Sequence, residues 1–132
     1  MIDTLLAQLI AKREGFYVKG SVPNRDNNPG DLRHSPHSQH PGDANAIGQI
    51  DTVSDGWADL ERQLTRDSAR GYTLKQLIEG TPDPVTGELV DGWAPASDGN
   101  DPNAYLNYLC AAGGWTSSTL VSDALKVQGS LT

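Results

Sequence analysis

Ile2-Asp3-Thr4-Leu5-Leu6-Ala7-Gln8-Leu9-Ile10-Ala11-Lys12-Arg13-Glu14-Gly15 is the stretch on which the fold turns. Ile2, Leu5, Leu6, Leu9 and Ile10 recur at spacings of three and four, the period of one apolar stripe along a helix. Asp3 offers an N-cap oxygen, and Gly15 is the residue type at which a chain leaves a helix. Glu14 then falls in the last turn, where the helix dipole disfavours a negative charge. The apolar face also gives way to loop at that point. Both circumstances favour the protonated carboxyl, which suits a group that gives up a proton near neutral pH and takes it back. On the helix alone, a solvated glutamate on the polar face is the plainer reading; the rest of the chain shifts the balance.

The chain has 132 residues, 36% apolar and 20% charged, which predicts one soluble domain able to bury a sizeable core. Its 14 glycines and 8 prolines make a sixth of the sequence, so long shaped loops are expected. Ten basic against 17 acidic residues give a net charge of -7, which opposes nucleic acid or an anionic membrane as partner. The charge is uneven. Residues 12 to 33 hold Lys12, Arg13, Lys19, Arg25 and Arg33 against Glu14, Asp26 and Asp31, so the only net-basic stretch surrounds the glutamate. A polymer carrying carboxylates is drawn to such a patch, although a solvated face has the same composition. Cys110 is the single cysteine, so the fold stands on its core with no internal disulfide. No basic n-region precedes the first apolar run and no stretch has the length of a membrane span, which predicts neither a leader nor membrane insertion. Delivery to a target outside the cytoplasm then falls to another system, a particle or a longer chain.

Residues 15 to 53 carry loop chemistry: Ser21-Val22-Pro23-Asn24, Asn27-Asn28-Pro29-Gly30 and Ser35-Pro36-His37-Ser38-Gln39-His40-Pro41-Gly42-Asp43. A loop of this length in a small domain is usually functional or disordered. Short strands are expected around Leu32-Arg33 and Ala46-Ile47-Gly48-Gln49-Ile50, making a small irregular sheet. A second helix is expected from about Ser54 to Ser68, burying Trp57, Leu60 and Leu64. Thr73-Leu74-Lys75-Gln76 has capping-box spacing and starts a third, which Gly80 stops. Residues 81 to 101 return to loop, with a turn at Thr86-Gly87. Asp101-Pro102 opens a fourth helix with Tyr105, Leu106, Leu109 and Cys110 on its stripe, closed by Gly113-Gly114. A last helix carries Leu120, Val121, Ala124 and Leu125, and the polar tail, 128 to 132, is expected to fray.

A helix ending in Glu-Gly, a polar loop, Ala46-Ile47-Gly48-Gln49-Ile50-Asp51 and a helical bundle containing Ala104-Tyr105 follow one another in order. In this the chain resembles the lysozyme-like superfamily, in particular goose-type lysozymes, soluble lytic transglycosylases and small phage muramidases. In these, a catalytic glutamate ends an early helix and a segment such as Gly-Leu-Met-Gln-Val-Asp lines the opposite wall of the cleft. Ile47-Gly48-Gln49-Ile50-Asp51 is a shortened match to it. Arg25-Asp26-Asn27-Asn28-Pro29-Gly30-Asp31-Leu32-Arg33 resembles the motif Arg-Asn-Asn-Asn-Pro-Gly-Asn-Leu-Arg of bacterial and phage members. The likeness continues through Trp57-Ala58-Asp59-Leu60-Glu61-Arg62-Gln63-Leu64 and Trp93-Ala94-Pro95 to Asn100-Asp101-Pro102-Asn103-Ala104-Tyr105, and residues 81 to 92 read as an insertion.

The resemblance implies one mainly helical (α+β) lysozyme-like domain over 1–132, with a small irregular sheet forming one wall of a glycan-binding cleft. It implies a monomer without cofactor or metal that cleaves the bond between N-acetylmuramic acid and N-acetylglucosamine in peptidoglycan glycan strands. Glu14 is carried over as general acid and then base; water or the sugar's C6 hydroxyl captures the oxocarbenium-like centre, giving a lysozyme or a lytic transglycosylase. Asp51 is the second catalytic candidate, equally readable as a helix-start cap. Gln49 with Ile50, Tyr105, Asn28 and Arg33 form the substrate-binding set. Against this, Gln49 reads as a strand-pairing residue, Tyr105 as a core aromatic, and Asn27-Asn28-Pro29-Gly30 as a segment that shapes its loop. Asp26 and Asp31 stand where the related motif has asparagine, which speaks against an obligatory role for either. His34, His37 and His40 recur every third residue, but Pro36 and Pro41 exclude a helix that would gather them, so a solvated loop is expected rather than a metal site. Two other classes remain: a non-catalytic glycan-binding or particle-associated module of the same fold, and a metal-dependent hydrolase built on the histidine loop.

Overall fold

Thr4, rather than Asp3, caps the first helix, α1 (Leu5–Arg13): its hydroxyl accepts from the Ala7 N–H at 3.2 Å. A distant carboxylate decides this. The Thr4 N–H and Oγ1–H both donate to Glu61, at 2.9 and 2.7 Å. Burial, and after it the charge of Glu61, raise the Asp3 pKa, so a second carboxylate is the poorer choice beside it. Six consecutive residues, Leu6 to Ile10 and Ala11, are buried, so α1 is enclosed nearly all round instead of presenting one stripe. At its far end the Gly15 N–H bonds to Lys12 O and the Phe16 N–H to Ala11 O, at 3.1 and 3.0 Å, the paired closure that a left-handed glycine allows.

The computed structural model describes residues 3–33, 36–38, 47–90, 92–94 and 100–128. Beyond α1 these form α2 (Val22–Arg25), α3 (Val53–Ala69), α4 (Leu74–Glu79), the strands β1 (Thr81–Pro82) and β2 (Leu89–Val90), α5 (Pro102–Gly113) and α6 (Val121–Ala124). The protein is mainly helical with a small antiparallel two-stranded sheet. It folds into two compact units, one from the residues up to Thr65 together with Gln128, the other from Arg66 to Val127. Among the described residues no helix is long and apolar enough to cross a membrane.

In the first unit, Leu6, Leu9, Ile10, Phe16, Ile50, Leu60 and Leu64 form the core. Among the described residues no strand forms at Leu32-Arg33, and in 47–50 Ile50 makes an isolated bridge to Ser38; Ala46, part of the expected strand, lies outside the described residues. Side-chain amides replace the ladder there, as described below. Gln128, expected in a frayed tail, pairs with Thr4 instead; residues 129–132 lie outside the described ones.

In the second unit the capping box of α4 forms as read, with Thr73 and Gln76 bonding to each other's backbone N–H. Asp101 caps α5 through Ala104 N–H, Pro102 takes the first turn, and Gly114 ends the helix left-handed. The core is Leu74, Leu77, Ile78, Tyr105, Leu106, Leu109, Val121 and Ala124. The sheet lies here, in the segment expected to be an insertion loop: Thr81 pairs with Val90 and Pro82 with Leu89. Asp83 makes this hairpin by accepting from the Val85 and Thr86 N–H groups at 2.8 and 3.0 Å, with Gly87 at φ +73°.

Candidate active site

Glu14 is the C-cap of α1, at φ -75° and ψ -7°, and its side chain is half-buried. The turn that follows is tied down by side chains from α2. Ser21 Oγ donates to Gly15 O at 2.7 Å, and Asn24 Nδ2 donates to Phe16 O at 3.0 Å. Asn24 Oδ1 meanwhile accepts from the Gly20 N–H at 3.2 Å. The backbone between α1 and α2 is therefore held to the start of α2, which gives the carboxyl a defined origin.

From α2 the chain enters the motif 25–33, where Asn27 and Asp31 both adopt left-handed backbone at φ +52°. Asn28 sits at its centre with 0% exposure. Its Nδ2 donates to Leu32 O and Gly48 O at 2.8 and 3.0 Å, and its Oδ1 accepts from the Leu32 N–H at 3.0 Å. Asn27 Nδ2 donates to Ile50 O and Asp51 O, at 2.9 and 3.2 Å. Two backbone bonds complete the joint, Gly48 N–H to Leu32 O at 2.8 Å and Ile50 N–H to Asp26 O at 2.9 Å. The two segments that carry the family resemblance, 25–33 and 47–51, are thus fastened to each other.

This joint revises the substrate-binding set. Asn28 does not face a ligand: it is sealed, and both amide hydrogens are used inside the loop, so its part is structural. The Ile50 side chain is core, at 4% exposure. Its N–H and C=O are both engaged, so it belongs to the scaffold. Gln49, between the buried Gly48 and Ile50, is exposed, as is Arg33. Asp51 is exposed just before α3, but the cap there is Thr52, whose Oγ1 accepts from the Asp55 N–H at 3.2 Å. Tyr105 lies in α5 of the second unit at 5% exposure, the position of a core aromatic.

Asp31 departs from an ordinary loop carboxylate. Its Oδ1 is buried and finds no hydrogen-bond partner among the described residues. Burial and the negative charge of Asp26 raise its pKa, with Arg33 opposing. An asparagine, as in the related motif, would fit the left-handed backbone without this charge.

A second polar constellation escapes the sequence pattern. Asp59 on α3 is 2% exposed, and its carboxylate accepts from the His37 N–H at 3.0 Å while bonding to His37 Nδ1. His37 Nε2 lies 3.9 Å from Asp55 on the next turn of α3. The imidazole is about half exposed, and the Asp59 hydrogen bond and charge raise its pKa. Spacing could not reveal this pair, because Asp59 reads as one more polar residue between Ala58 and Leu60. Of the histidines proposed to recur every third residue, His34 and His40 lie outside the described residues. Among the described residues no group of three or more metal-ligating side chains comes together.

Comparison with family models, curated proteins and solved structures brings no match. The functional reading therefore stands on the chemistry of this chain.

Proposed function

We propose that this chain is a peptidoglycan-cleaving muramidase of lysozyme-like type, acting on the N-acetylmuramic acid–N-acetylglucosamine bond with Glu14 as general acid and base. The observation that carries the proposal is the continuous tether from Glu14 to the 47–51 segment. Ser21 and Asn24 hold the turn after the glutamate. Asp26 and Asn27 then hold Ile50 and Asp51. A glycosidase needs such a relation, since its acid must stand within hydrogen-bond reach of the bridging oxygen while another segment holds the sugar.

In this reading Glu14 donates its proton to the glycosidic oxygen as the C1–O bond breaks, and the leaving sugar departs as an alcohol. Positive charge develops on C1 and the ring oxygen. Glu14, now a carboxylate, removes a proton from the group that attacks C1. Attack by water yields a reducing end, and attack by the sugar's own C6 hydroxyl yields an anhydro end. The exposed Asp51 is placed in the reading as the group that stabilises the cation or positions a water, and Gln49 and Arg33 are the polar groups open to the glycan.

Glu14→Gln retains the shape and removes the transferable proton. Clearing of a cell-wall suspension is expected to fall about 100-fold or more, and unchanged clearing refutes the assignment. Mass spectrometry of the wild-type products then separates the outcomes by the water missing from an anhydro end. Binding to insoluble peptidoglycan with no soluble product would instead support a non-catalytic glycan-binding module.

A further inference from the structure

Asp59 grips one residue of the 36–38 loop twice. Its Oδ2 accepts from the His37 N–H at 3.0 Å, and its Oδ1 bonds to His37 Nδ1. The Asp59 side chain is 1% exposed on the long helix α3, beside the sealed Leu60, so the grip has a fixed origin. A charge-assisted bond to the ring and another to the backbone of the same residue hold its main chain and its rotamer together. Asp55, 3.9 Å from His37 Nε2 and 44% exposed, adds only a long contact.

The next residue carries that position inward. Ser38 is 7% exposed and makes the isolated bridge to Ile50. Its side chain also lies against Gly48, where an added Cβ would stand 3.3 Å from both Ser38 Cβ and Oγ. Gly48 and Ile50 therefore have two supports. The 25–33 loop supplies one, through Leu32 O, Asp26 O and the Asn27 and Asn28 amides. Ser38 supplies the other. Both rest on α3: Gly56 packs on Asn27 O, and Asp59 stands three residues further along the same face of that helix. Gln49 is exposed between the two residues so held, and the exposed Asp51 follows them.

We propose that Asp59 is a positioning residue for the 47–51 segment: by clamping His37 it seats Ser38 against Gly48 and Ile50, and so sets where Gln49 and Asp51 are presented. That the presented groups meet a glycan rests on the muramidase reading; the mechanical link does not. Neither His37 nor Asp59 meets the glycan in this role, since each acts through Ser38. A clamp that merely added stability would, on removal, loosen the core and this segment alike. A positioning clamp loosens the segment selectively.

Amide hydrogen exchange of the full chain tests the link without any activity measurement. His37→Ala keeps the backbone bond and loses the ring. In it the Gly48 and Ile50 amides are expected to exchange about 10-fold faster or more, relative to the Ile10 amide in the core of α1. Asp59→Asn keeps the shape and gives up one acceptor oxygen; it is expected to act alike, which guards against a folding defect in the first variant. His37→Asn places an amide N–H where Nδ1 stood and is expected to bring the rates back toward those of the unsubstituted chain. A second measurement, in the Glu14→Gln background, titrates a tetrasaccharide of alternating N-acetylglucosamine and N-acetylmuramic acid. Its affinity is expected to fall about 10-fold with His37→Ala and to recover with His37→Asn. Gly48 and Ile50 amides that speed up no more than Ile10 overturn the positioning role. Selective loosening with unaltered affinity removes the glycan from the proposal. Absence of both binding and cleavage in the wild-type chain removes the muramidase reading instead, while the exchange rates still decide the clamp.

Discussion

Asn28 and Asp31 occupy one loop and have opposite energetics. Asn28 spends every amide hydrogen inside the fold, so truncation strands the Leu32 N–H and removes two bonds to carbonyls. Asn28→Ala is expected to lower unfolding free energy by about 2–4 kcal/mol, read as a lower urea midpoint at unchanged slope. Asp31, by contrast, has a buried oxygen that no described group satisfies. Its pKa is raised in the folded state, so the fold binds the proton more tightly than the unfolded chain does. The contribution to stability is therefore present below the unfolded value near 3.8 and is lost as pH rises through the folded value. Asp31→Asn is expected to raise the thermal midpoint at pH 7 and to change it little at pH 3.5. An equal gain at both values would show that the charge is not responsible. The motif itself is legible in sequence, but which asparagine is sealed is not, since adjacent residues with the same side chain differ only in where the backbone points them.

The joint between α3 and the 25–33 loop depends on the absence of a side chain. A Cβ on Gly56 would meet Asn27 O at 1.9 Å. In an unencumbered helix, Gly→Ala stabilises by about 1 kcal/mol. Here the contact reverses the sign, and Gly56→Ala is expected to cost about 2 kcal/mol or more, measured by denaturant unfolding. A gain would mean that the loop can move aside. Among the elements, α4 and α5 were readable because their caps act within three residues, Thr73 with Gln76 and Asp101 with Ala104. The hairpin's turn was readable at Thr86-Gly87 for the same reason. That β1 and β2 would pair was not readable, nor was the way 47–50 joins the loop: Gly48 and Ile50 donate their N–H groups to Leu32 O and Asp26 O, and their carbonyls accept from the Asn28 and Asn27 amides.

For the molecule as a whole, the pH dependence of stability follows from a few displaced groups. Asp3 and Asp31 are raised, so their contributions fade as pH climbs above about 3.8, while Asp83, lowered by the Thr86 and Val85 N–H groups, loses its contribution as pH falls through its folded value. Among the described residues, the displaced group whose ordinary titration lies between pH 6 and 8 is His37. Its raised pKa means that its contribution is complete below about 6.5 and declines as pH rises through the folded value. The thermal midpoint is expected to be higher at pH 5.5 than at pH 8.5, and Asp59→Asn is expected to flatten that difference. A slope unchanged by Asp59→Asn would remove the His37–Asp59 pair as its cause. The net charge of -7 adds to the same trend through self-repulsion.

The amino-acid order alone determined the helical character of the chain, the place where α1 ends and the position of Glu14 in its final turn. Those features come from apolar period and from glycine and cap chemistry, which act over a few neighbouring residues. Only the tertiary structure decided that Thr4 would cap α1, since the deciding carboxylate, Glu61, lies 57 residues away. It likewise decided that Asn28 would be buried and that Asp59 would hold His37. Each of these choices depends on which polar groups and faces remain unmatched once distant segments meet, and no local pattern encodes that.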